Sequence, residues 1–138
     1  MSNTSYQTYH RKLLQQLAEQ IKNTPPFNGD EVDELQANFI EKLDKVQEPD
    51  TPAEEQLDLG QWLLSQLVGN YQHLMPSVPR ALFWYFGGDC MHYLGDEEIS
   101  HFQTLEERYH ELLAAGEEDA EYEQLVLLVE QEEKGRLH

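Results

Sequence analysis

A chain of 138 residues with 39% hydrophobic and 10% aromatic residues has the material for one packed core, and its single cysteine, Cys90, excludes an internal disulfide. Twenty-seven acids against nine lysines and arginines leave a net charge of −18, which repels phosphate backbones and argues against direct nucleic-acid binding. No run approaches the roughly 18–20 apolar residues of a membrane-spanning helix, and the N-terminus lacks an apolar leader, so the expectation is a soluble, cytoplasmic protein with no membrane partner.

Every long segment carries helical periodicity. Tyr6, Tyr9, Leu13, Leu17 and Ile21 recur at three- and four-residue steps, which predicts an amphipathic helix over residues 5–23, ending before "NTPPFNG". Asn28 and Glu31 have capping-box spacing, and Val32, Leu35, Phe39, Leu43 and Val46 form the stripe of a second helix. In "EPDTPAEEQ" Thr51 is the expected cap, Pro52 the first helical residue and Glu54 the partner of the box. The third helix buries Leu57, Leu64, Leu67, Val68 and Tyr71, and Trp62 falls off that stripe.

The fourth helix is expected from Pro79, and its "ALFWYF" run is apolar on every face, so it must be surrounded. The following Gly87 and Gly88 either end it or admit a neighbouring backbone. Asp96 is the expected cap of a fifth helix, with Glu97 and Glu98 in the first turn, where free N–H groups and the macrodipole favour anions. Ile99, Phe102, Leu105, Tyr109 and Leu112 mark its buried face, Gly116 its end, and Tyr122, Leu125, Val126 and Val129 the face of the last helix. With no strand pattern and no repeat, the fold class is all-α. The expectation is a single domain over residues 1–138, a bundle of five or six helices around a buried central helix near residues 79–92.

Charge is uneven along the chain. Residues 30–60 hold 11 acids and two bases, residues 89–138 hold 15 acids and three bases, and residues 1–29 are net positive by two. Such a surface favours solubility and fits a basic protein partner.

Chemistry-bearing residues concentrate between 89 and 101. The pattern carboxylate-x-x-His occurs in Asp89/His92, Glu98/His101 and Glu107/His110, and that spacing places both groups on one helical face, as metal-carrying bundles require. Glu98 and Glu107 lie nine residues apart, however, so at about 100° per residue they point to opposite sides. One dinuclear site cannot use both pairs within a subunit. A local zinc or iron site from Asp89, Cys90, His92, Glu98 and His101 is the alternative to the main expectation of no cofactor. Cys90 beside Asp89 and His92 also has the pieces of a nucleophile, but chain neighbours rarely align as base and thiolate, and a cysteine after an apolar run suits a core. No glycine-rich phosphate loop follows a strand.

Recognition is the remaining class. Trp84 and Tyr85, with Phe83 and Phe86, exceed what one side of a helix buries in a small bundle, and Trp62 stands outside its stripe. Interfaces are enriched in such aromatics. Trp62, Trp84 and Tyr85 are therefore the interaction candidates, for a protein partner or for a second copy in a homodimer.

The stretch "ALFWYFGGDCMHYLGDEEI" resembles a group of small acidic proteobacterial proteins without assigned activity. The resemblance implies a bacterial cytoplasmic protein and brings no chemistry. The expectation is thus a non-enzymatic protein-interaction module, with a metal-dependent or redox helical protein using residues 89–101 as the alternative.

Overall fold

In the computed structural model, which describes residues 5–117 and 121–136, the chain folds into α1 (Ser5–Lys22), α2 (Glu34–Gln47), α3 (Ala53–Asn70), α4 (Arg80–Phe86), α5 (Asp96–Ala114) and α6 (Tyr122–Arg136). Two 3₁₀ helices, Gln72–Ser77 and Gly88–Tyr93, flank α4. No strand occurs among the described residues, so the all-α expectation holds. No helix among them is long and apolar enough to cross a membrane.

The chain divides into two units. One comprises residues 11–94, the other residues 1–10 with 95–138. In the first unit α3 is the shared support: α2, α4 and both 3₁₀ helices pack on it. Its buried face is Leu59, Leu63, Leu64 and Leu67. Leu57, expected in that face, is 43% exposed, because the buried face begins at Leu59, on the opposite side of the first turns. A similar correction applies to α2. Asp33 caps it, accepting from the Gln36 N–H at 2.7 Å while the Gln36 side chain accepts from the Asp33 N–H. The helix therefore starts later than an Asn28–Glu31 box would place it, and Val32 and Leu35 are left exposed while Phe39, Leu43 and Val46 are buried.

Pro52, not Thr51, is the N-cap of α3, without a side-chain cap bond. The Thr51 hydroxyl is buried and donates back to the Lys45 carbonyl at 2.8 Å, closing the α2–α3 turn. The central helix α4 spans the whole apolar run but is shorter than the expected 79–92, whose second half is a 3₁₀ helix. Gly87 takes φ +63°, a conformation that side chains with a Cβ rarely adopt, and ends α4 at Phe86. Leu82, Phe83 and Phe86 are buried, whereas Trp84 and Tyr85 are half-buried, so α4 is not surrounded on every face. The ring of Phe86 lies against Gly60, where an added Cβ would come within 2.2 Å of it. Glycine in the middle of α3 costs helix stability and here makes room for the aromatic ring. Gln61 secures the same junction, donating to the Phe86 carbonyl at 2.9 Å.

The second unit packs α5 against α6 together with the first turns of α1. Gly95, not Asp96, is the N-cap of α5, and its N–H is accepted by the Glu98 carboxylate at 3.0 Å. Asp96 and Glu97 occupy the first turn, where the macrodipole favours anions. Gly116 ends α5 with φ +89°, and the bonds Gly116 N–H to Leu113 and Glu117 N–H to Leu112 make the Schellman pair. Tyr122, Leu125, Val126 and Val129 are the buried face of α6, as their spacing predicts, and Leu127 and Leu128 are exposed.

Candidate functional site

The helix α3 is built from strong helix formers, with Glu54 and Glu55 in its first turn, where they complement the dipole. Leu59, Leu63, Leu64 and Leu67 turn inward, and this fixes what the edge of the helix presents. Asp58, Trp62, Gln66 and Asn70 follow one another at four-residue intervals, an oblique ridge that winds about 40° per step across that side of the helix. Gln66 and Asn70 are tied together, the Asn70 amide donating to the Gln66 carbonyl oxygen at 2.7 Å.

Trp62 is half-buried and belongs to two concavities at once. Toward α2 lies a hollow of ≈ 250 Å³, walled by Trp62, Phe39 and Tyr71 and rimmed by Asn38, Gln66 and Asn70. Its rings form one aromatic set, with Phe39 5.3 Å from Tyr71 and 6.2 Å from Trp62 between centroids. Asp33 and Leu35, the latter 77% exposed, close the end near the α2 cap. On the other side of Trp62 lies a second hollow, ≈ 260 Å³, bordered by Asp58, Gln61, Ser65, Asp89, Cys90 and Tyr93. Among the described residues no lysine or arginine lines either hollow, while Asp33, Asp58 and Asp89 do.

The sequence-selected residues thus separate into two sets. Trp62, Asp89 and Cys90 come together around the second hollow. Cys90 itself is 2% exposed, its thiol faces the Gln61 carbonyl at 3.8 Å, and burial, helped by the Asp89 charge, pushes its pKa up. A thiol held in that state is a poor nucleophile. His92 is exposed on the same 3₁₀ helix. Trp84 and Tyr85 are half-buried on α4, outside both hollows; burial raises the Tyr85 pKa, and the Arg11 charge offsets part of the rise. In the other unit, Glu98 is engaged in the α5 cap and His101 pairs with Glu133 of α6 at 2.8 Å. Among the described residues no three of His, Cys, Asp and Glu form a group able to hold a metal ion.

The second unit has its own concavity, a cleft of ≈ 340 Å³ between α5 and α6. Asp96, Glu97, Glu132 and Glu133 make it acidic, and Arg108 and His101 bridge it through Glu132 and Glu133. Periodicity placed Tyr6, Tyr9, Tyr109 and Tyr122 on helix faces but gave no hint that they gather around His10. His10, 1% exposed, donates from Nδ1 to the Tyr6 carbonyl at 2.8 Å and lies among Tyr6, Tyr9 and Tyr122. Tyr6 donates to Glu106 at 2.6 Å, and the Ser5 hydroxyl meets the Tyr109 hydroxyl at 3.1 Å while accepting from the Tyr122 N–H. Burial lowers the His10 pKa to about 4 and raises those of Tyr9 and Tyr122. The available signal was the density of tyrosines at helical spacing around one histidine, which is as much a core pattern as a site pattern.

The chain belongs to the PA2817-like family, whose model matches residues 2–138. That extent covers both units. Neither a curated protein nor a solved structure matches it.

Proposed function

We propose that this protein is a non-enzymatic protein-interaction module whose docking surface is the Trp62 edge of α3. The observation that carries the reading is the position of Trp62: a large aromatic, half-buried, forming the shared wall of two adjoining hollows. Aromatic side chains so placed contribute most of the binding energy in protein interfaces, because they bury much area with little loss of side-chain freedom. The surrounding amides and hydroxyl, Asn38, Gln66, Asn70 and Ser65, offer donors and acceptors of the kind a polar rim uses. Against catalysis stands the state of the only thiol, buried and raised in pKa. A cytoplasmic place and a protein partner that offsets the −18 charge complete the proposal.

Site-specific photo-crosslinking tests it. A photoreactive amino acid replacing exposed Leu35, at the rim of the α2–α3 hollow, should capture a discrete protein partner in living cells. The same residue replacing exposed Leu127 on α6 should not capture that partner. Equal capture from both positions, or none from Leu35, would remove the basis of the reading.

A further inference from the structure

We infer that the Trp62 edge receives an extended, cationic segment of a partner protein, with an arginine or lysine over the indole; this rests on the docking surface proposed above. Three independent features lead there. The first is repeat distance. Asp58, Trp62, Gln66 and Asn70 step four residues at a time, about 6 Å per step at the helical rise. Two residues of an extended chain advance about 6.6 Å, so alternate side chains of such a segment meet successive members of the row. The row spans about 18 Å, the length of about six extended residues.

The second feature is hydrogen-bonding capacity. An extended segment brings unpaired backbone N–H and C=O groups that must be met on docking. Asn38, Gln66 and Asn70 border one hollow and Gln61 and Ser65 the other, so amide and hydroxyl groups lie along the whole track. An apolar helix docking there would cover the Asn38 amide and the capacity that Gln66 and Asn70 keep beyond their mutual bond, at a cost.

The third feature is charge. Asp33, Asp58 and Asp89 border the two hollows, and among the described residues no lysine or arginine does. Trp62 lines both hollows, with Asp33 in one and Asp58 and Asp89 in the other, and an indole is the best of the aromatic partners for a cation. A second copy of this chain, itself carrying −18, is the poorly matched occupant.

The test uses the full-length protein and three ten-residue peptides of identical apolar content, with Arg, Gln or Glu at alternate positions. The readout is the Trp62 indole N–H resonance, assigned through Trp62→Phe. The Arg peptide should shift it saturably, the Gln peptide at least tenfold more weakly, and the Glu peptide not at all. Raising sodium chloride from 20 to 200 mM should weaken the Arg peptide several-fold. Asp58→Asn with Asp89→Asn should weaken it further, while Glu97→Gln with Glu132→Gln, an equal loss of charge at the α5–α6 cleft, should not. Equal weakening by the two pairs would mean attraction to the acidic protein as a whole and would overturn the proposal. So would a Gln or Glu peptide that shifts the resonance as strongly as the Arg peptide, or concentration-dependent self-association that shifts it without peptide. Each of these leaves the docking surface standing if the Leu35 position still captures a partner; loss of that capture removes both.

Discussion

The two units of this chain solve burial differently. Residues 11–94 fill their interior with leucine, phenylalanine and valine from α2, α3 and α4, and Cys90 is the one titratable side chain that is fully buried there. The unit of residues 1–10 and 95–138 buries His10, Tyr109 and Tyr122 beside Phe102 and Leu105, with Ser5 bonded to Tyr109 and to the Tyr122 N–H and Tyr6 to Glu106. An apolar core is indifferent to pH and sensitive to volume. A tyrosine–histidine core is sensitive to protonation as well, because a charge formed inside it has no water to meet. The surfaces also differ: the first unit presents an indole between two hollows, the second an acidic cleft whose Arg108 already pairs with Glu132.

The largest expected effect lies in the volume-sensitive unit. Phe83 is fully buried in α4, and Phe83→Ala should cost about 3–5 kcal/mol through lost transfer energy and the cavity left behind. Urea denaturation followed by circular dichroism measures it. A loss below about 1 kcal/mol would remove α4 from the core and leave the contrast without its first term.

Next comes pH, which should separate the two units. The folded pKa of His10, about 4, lies below the ordinary 6.5 because burial disfavours the imidazolium. The unfolded chain therefore takes up this proton first as pH falls. The stabilisation is complete above about pH 6.5 and is lost progressively down to about pH 4, on the order of 3 kcal/mol in total. His10→Leu should flatten this component of the wild-type profile. Hydrogen exchange should show α5 and α6 losing protection in acid before α3 does. Parallel loss in all three helices would erase the distinction between the cores.

Gly60→Ala should have a smaller effect. The added Cβ meets the Phe86 ring, and overpacking of this kind costs about 1–3 kcal/mol, more than the helix propensity gained by replacing glycine with alanine. The double variant Gly60→Ala with Phe86→Leu should lose less than the sum of the single variants. Simple additivity would mean that the two residues are not in contact.

These contrasts also explain what was legible in advance. The all-α class with five or six helices, the buried face of α6 and the end of α5 at Gly116 were readable because period and glycine position carry them locally. The caps were less so: Asn28, Thr51 and Asp96 are all competent capping residues, and which candidate serves depends on where the chain is held by packing. Leu57 and Leu35 fit their stripes by spacing, but lie in first turns that the neighbouring elements do not cover. Trp62 stood out through its departure from the leucine pattern, yet its two hollows depend on α2 and the 88–93 helix arriving from far along the sequence. The residues selected between 89 and 101 belong to two units, Asp89, Cys90 and His92 to one and Glu98 and His101 to the other. Gly87 and the α5 cap give Cys90, Glu98 and His101 separate local tasks, and no residue count reveals that.

The central claim is that Trp62 serves binding more than folding, and one paired measurement addresses it. Trp62→Ala is prepared beside wild type, and both unfolding free energy and affinity for the partner captured at Leu35 are measured on the same samples. The account predicts a stability loss under about 2 kcal/mol, as expected for a half-buried side chain, with affinity falling at least tenfold. Unchanged affinity together with a loss of about 3–5 kcal/mol, the range of a fully buried aromatic, would make Trp62 a core residue and contradict it.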